Sequence, residues 1–62
     1  MNMPVIPKKI RIMNCLNKAI KPMGAREIGI HTNLTPWQVR GLIPQLRSVT
    51  HTHEQPYEYY VT

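Results

Sequence analysis

Apolar residues recur at helical spacing through the first two thirds of the chain and at alternating spacing near its end, with prolines and glycines between the blocks. From Lys8 to Ile20, Ile12, Leu16 and Ala19 fall on one face, widened by Met13, Cys15 and Ile20. Lys9, Asn14, Asn17, Lys18 and Lys21 lie mostly elsewhere, which is the pattern of an amphipathic helix. Pro7 suits its first position, where a missing N–H costs nothing, and Pro22 ends it. A second, shorter helix is expected over Ala25 to Thr32. Gly24 is its permissive N-cap, with Glu27 at capping-box spacing from a first member that has no side chain. Thr35 and Pro36 open a third helix as N-cap and first residue, and Val39, Ile43 and Leu46, helped by Leu42, form its buried side. The period then changes. Val49 to Thr52 and Tyr57 to Val61 are rich in β-branched and aromatic residues on either side of "HEQP", the pattern of a hairpin. Tyr57, Tyr59 and Val61 share one strand face, as do Val49, His51 and His53, and one such face is expected to cover the helices. The predicted organisation is a tail over residues 1–7 and one α+β domain over 8–62, three helices followed by a C-terminal β-hairpin.

Within that frame, the segment from Ile28 to Leu42 resembles a helix-turn-helix, and the hairpin after it makes the resemblance one to the winged helix-turn-helix superfamily. The motif asks for a small residue where its two helices touch, a left-handed turn residue four positions later, and an apolar residue six beyond that. Gly29, Asn33 and Val39 occupy these places. Ile28, Leu34 and Leu42 are apolar where expected, and Thr32 departs. Asn33 stands where glycine is usual but is one of the few other residues that visit positive φ readily. Gly29 stands where alanine is usual, which is expected to weaken the helix by about 0.5–1 kcal/mol.

The resemblance implies that the third helix enters the major groove of double-stranded DNA, with Thr35, Trp37, Gln38 and Arg40 facing the bases. Gln38 would pair with adenine and Arg40 with guanine, bidentate contacts each worth about 1–3 kcal/mol of discrimination. Lys8, Lys9, Lys21 and Arg26 would hold phosphates, setting affinity and salt dependence rather than sequence choice. A small transcription regulator or accessory factor from a prokaryote, plasmid or phage is the implied role.

The third helix also invites another use. At about 3.6 residues per turn, with Val39, Ile43 and Leu46 inward, Trp37, Gly41 and Pro44 fall in one outward line. That line carries no charge, and Trp and Arg are favoured anchors at protein interfaces. A protein-binding adaptor or inhibitor module that uses Trp37, Gly41 and Pro44 together with the hairpin is therefore the alternative. Pro44 cannot donate to the carbonyl of Arg40 and disfavours α conformation at Ile43, so the helix either kinks or stops near Ile43.

Composition narrows the classes. Eight Lys and Arg face three Glu and no Asp, for a formal net charge of +5, which favours an anionic partner. Six of the eight cations precede the first acid, Glu27, so the positive potential belongs mainly to the first half. The hairpin tip carries Glu54 with Glu58 nearby, and attracts phosphate weakly unless His51 and His53 are protonated. At 62 residues the core is thin, so dimerisation is a live expectation. Cys15 is the single cysteine, excludes an intrachain disulfide and is expected to be buried and inert. No apolar run is long enough to cross a bilayer, and a reduced, cytoplasmic setting is expected. His51 and His53 lie on one side of a strand without the four ligands of a structural zinc. The scarcity of carboxylates and the absence of a Gly-rich phosphate loop argue against an enzyme. We expect no catalytic residue, small-molecule substrate, cofactor or metal.

Overall fold

The computed structural model describes residues 6–62; the first five residues of the expected tail lie outside them. The fold is α+β, three helices and a small antiparallel sheet. Helix α1 runs over Lys8–Lys18, strand β1 over Met23–Gly24, α2 over Ala25–Thr32 and α3 over Pro36–Leu42. A 3-10 turn (Ile43–Gln45) follows, then strands β2 (Val49–His51) and β3 (Glu58–Val61).

Pro7 sits one residue outside α1 as its N-cap, with extended backbone, and its carbonyl takes the first helical hydrogen bond from Arg11 N at 3.0 Å. The other end departs from expectation. Ala19 leaves the helix with ψ 137°, its N–H still shared between the carbonyls of Cys15 and Leu16. Ile20, expected on the apolar face of the helix, is consequently 99% exposed. Its place in the 3.6-residue repeat has no meaning once the chain turns toward β1.

Strand β1 lies beside β3, not β2, giving the order β1-β3-β2. Met23 pairs with Tyr59 and Gly24 with Glu58, while Val49, Thr50 and His51 pair with Val61, Tyr60 and Tyr59. This third strand is absent from the sequence expectation, and both hairpin strands are shorter than the apolar runs that predict them. Thr52 closes the hairpin from outside the ladder. Its N–H donates to the Glu58 carbonyl at 2.9 Å, and its Oγ1 accepts from Glu58 N at 3.1 Å.

Ile12, Leu16, Met23, Ala25, Ile28, Val39 and Ile43 form the core, so every helix and the 3-10 turn contribute to one cluster. Leu34, Leu42, Leu46, Val49, Tyr59 and Val61 pack around it, which makes the Tyr59 and Val61 side of the hairpin the face that covers the helices. Thr32 is buried among these apolar groups, and its hydroxyl donates to the Ile28 carbonyl at 2.7 Å. A polar residue is tolerated at this apolar position because its one donor finds a partner within its own helix.

At Pro44 the α-helix stops. Ile43 keeps α angles (φ −53°, ψ −46°) despite the proline that follows, and its N–H still reaches the Val39 carbonyl. The chain then tightens into the 3-10 turn and becomes extended at Leu46. Gln45 Nε2 donates to the Gly41 carbonyl at 3.2 Å, so a side chain serves one of the carbonyls that the missing helical turn leaves free.

Candidate nucleic-acid interface

Helices α2 and α3 meet through a short turn whose geometry follows from three residues. Asn33 adopts the left-handed conformation, φ 59° and ψ 42°, and no other non-glycine residue among those described has positive φ. This reverses the chain within one residue. The N–H groups of Asn33 and Leu34 then converge on the Gly29 carbonyl, Leu34 at 2.9 Å. The convergence satisfies the end of α2 in the manner of a left-handed C-terminal cap. It also draws the turn against Gly29, where an added Cβ would lie 2.5 Å from the Leu34 carbonyl oxygen.

Helix α3 starts in a full capping box. Thr35 Oγ1 accepts from Gln38 N at 3.1 Å, and Gln38 Oε1 accepts from Thr35 N at 2.9 Å. The sequence already holds this signal in the spacing Thr35-x-x-Gln38, which the assignment of Gln38 to base reading passes over. A bidentate contact to adenine needs the amide oxygen of Gln38 as acceptor, and here that oxygen serves the helix start.

Val39 anchors the helix with 0% of its surface exposed, while Trp37 on the same helix is 79% exposed. Gly41 and Pro44 are exposed as well, with open space where a Gly41 Cβ would stand. Trp37 and Gly41 are thus exposed on α3, and Pro44 is exposed on the 3-10 turn that follows it. Arg40 has its guanidinium 5.8 Å from the centre of the Trp37 ring, within range of a cation–π contact.

The candidate phosphate residues do not form a single group. Arg26, at the start of α2, lines a groove of about 970 Å³ with Arg40, Ile30, Tyr57 and Glu58, between α2, α3 and the hairpin. Lys21 instead lines a separate hollow beside Leu16, Tyr60 and Val61. Lys8 and Lys9 stand exposed on the first turn of α1. Ile30 is 74% exposed at the groove, an apolar contact that helical periodicity leaves unassigned.

Arg11 has a different task from the other cations. Its Nη1 donates to the Thr32 carbonyl at 3.1 Å, tying α1 to the C-terminal end of α2, and its buried Nε has no partner. Its place beside Ile12 on α1 is the only sequence hint of this contact. Cys15 is partly buried, with its sulfur 3.9 Å from that of Met23. Burial, and then the negative charge of Glu27, push its thiol above the ordinary range, the opposite of what an activated thiolate needs.

His51 is committed to the hairpin. Its Nδ1 lies 2.7 Å from the Thr52 carbonyl, which can only accept, so this nitrogen carries the proton. The ring centres of Tyr57 and Tyr59 are 4.5 and 6.2 Å away. Among the described residues no three His, Cys, Asp or Glu gather in a way that would hold a metal ion, and no helix is long and apolar enough to cross a membrane. No family model, curated protein or solved structure matches the chain.

Proposed function

We propose that the chain is a winged helix-turn-helix protein that binds double-stranded DNA as a transcription regulator or accessory factor in the cytoplasm, with no metal or cofactor. In this reading α2, the Asn33 turn and α3 are the helix-turn-helix, and the β2–β3 hairpin is the wing. The observation that carries it is the division of α3. Val39 is sealed in the core, whereas Trp37, Arg40 and Gly41 stand out from an elbow fixed by Gly29 and Asn33. Helix α3 spans seven residues, about 10 Å at 1.5 Å per residue, which suits a probe of the major groove. Arg26 and Arg40 share the groove between this helix and the hairpin, where a phosphate strand passing from helix to wing would be met by both.

The capping roles of Gln38 and Thr35 shift the sequence reading toward Arg40 and Trp37. Titration of a random duplex at increasing salt, followed by amide NMR shifts, tests the proposal. Affinity is expected to fall steeply with salt, and shifts to cluster on α3, the start of α2 and the hairpin tip. Salt-independent binding, or shifts confined to α1, would overturn it.

A second reading is favoured by the same capping contact, which ties one candidate base-reading side chain to the helix start. In it Trp37, Gly41 and Pro44 form the contact surface of a protein-binding adaptor. Trp37→Ala should then abolish capture of a protein partner and leave weak duplex binding intact; capture that persists in this variant excludes the adaptor surface.

A further inference from the structure

Helix α3 offers few hydrogen-bonding groups to base edges. Gln38 Oε1 is held by the Thr35 N–H, and Gly41 and Pro44 place no polar side chain on the outward line. What the helix does offer is a flat aromatic ring, 79% exposed, with a guanidinium 5.8 Å from its centre. The charge of Arg40 lies against the indole, and most of the ring surface stays open. Arg26 joins Arg40 in the adjoining groove, which Glu27 and Glu58 also line. An open aromatic surface beside a guanidinium suits one chemistry above others: a planar base carried on a phosphate chain, which meets the ring by stacking and the guanidinium by charge.

We propose that Trp37 and Arg40 form a stacking site for an unpaired nucleobase, so that the chain prefers a duplex interrupted by such a base over a continuous one. The inference rests on the nucleic-acid reading above. In a continuous duplex each base is covered on both faces by its neighbours, and Trp37 meets only sugar and base edges. An unpaired base is already free of part of that stacking, so contact with the indole costs little further disruption. Stacking on an aromatic side chain corresponds to about a five- to hundredfold change in affinity per base.

Trp37 is the single tryptophan of the chain, so its emission reports the contact without a label. The experiment compares three probes on the full chain: a short continuous duplex, the same duplex with one extra unpaired adenine, and one of its single strands. The interrupted duplex is expected to bind about five- to hundredfold tighter than the continuous one and to quench the tryptophan. Trp37→Leu, which keeps apolar bulk without a ring, should erase the difference, and circular dichroism checks that this exposed substitution leaves the fold intact. Equal affinity for the two duplexes with unchanged emission overturns the stacking site and leaves duplex binding standing. Failure to bind any of the three overturns both readings. A single strand bound as tightly as the interrupted duplex, with quenching, supports the stacking site and overturns the duplex role.

Discussion

A Cβ added to Gly29 would lie 2.5 Å from the carbonyl oxygen of Leu34. The obstacle is backbone, held in place by the hydrogen bond from Leu34 N back to the Gly29 carbonyl, so it cannot swing aside as a side chain would. In an open helix, replacing glycine by alanine is worth up to about 1 kcal/mol of stability. At Gly29 the sign should reverse, with Gly29→Ala destabilising by about 1–3 kcal/mol through overpacking. For a domain of this size that lowers the melting temperature by about 4–8 °C per kcal/mol, measurable by circular dichroism. Gly41 is the internal control, since an added Cβ there meets nothing within 4 Å. Gly41→Ala should raise the melting temperature. A neutral or stabilising Gly29→Ala would mean that the two helices are not held this closely.

The capping box predicts a coupled pair. Thr35→Ala removes the acceptor for Gln38 N and should cost about 0.5–2 kcal/mol. Gln38→Ala removes the acceptor for the Thr35 N–H, and because that group is exposed, water replaces part of the loss. The two side chains hold each other in place, so the double variant should lose less than the sum of the single ones. Urea unfolding of the four proteins measures this, and strict additivity would show the two contacts to be independent. Any loss of sequence preference in Gln38→Ala should then track the loss of helix order rather than adenine content at one position.

Much of this region is legible because its signals are local. A proline after a threonine marks the start of α3, asparagine takes the left-handed turn, and the spacing of Val39 and Ile43 sets which face is buried. These rules act over four residues or fewer, so the bounds of α2 and the exposure of Trp37, Gly41 and Pro44 follow from them. The exposure of Ile20 does not, because periodicity has no information on where Ala19 turns. Strand β1 is harder still. Two residues carry no alternation, and Met23 becomes a strand only by pairing with Tyr59, far along the chain. The Arg11 contact to Thr32 and the groove shared by Arg26 and Arg40 have the same origin, since each joins residues from different helices. The fold was therefore more readable than the surface that would use it.

Cys15 gives a prediction in pH. Burial, aided by Glu27, raises its thiol above the ordinary range in the folded chain, so the folded state favours the protonated form. The associated stability is fully present below the ordinary thiol pKa. It is lost as pH rises from that value through the raised one, because the unfolded chain ionises first. Alkylation at neutral pH should be slow for the folded protein and fast after unfolding in urea. The melting temperature should begin to fall above about pH 8.5, near the ordinary thiol pKa, and Cys15→Ser should flatten that decline. Rapid alkylation of the folded chain at neutral pH would contradict the assignment.

Charges of both signs line the groove between α3 and the hairpin, with Arg26 and Arg40 lining the same hollow as Glu27 and Glu58. If a phosphate strand occupies it, substitutions at Arg26 and Glu58 must move duplex affinity in opposite directions. Arg26→Gln should weaken binding and reduce the slope of log affinity against log salt by about 0.9, the loss of one phosphate contact. Glu58→Gln removes a repulsion and should tighten binding about two- to tenfold at low salt, with the gain fading as ionic strength shortens the reach of the charge. Lys21→Gln provides the comparison, because Lys21 lines the hollow beside Tyr60 and Val61 instead. Its charge contributes to the overall field but makes no contact in the groove, so its effect on the salt slope should be smaller than that of Arg26. Fluorescence anisotropy with one duplex at several salt concentrations compares all three. A gain from Arg26→Gln, a loss from Glu58→Gln, or a slope change at Lys21 as large as that at Arg26 would place the DNA elsewhere on the protein.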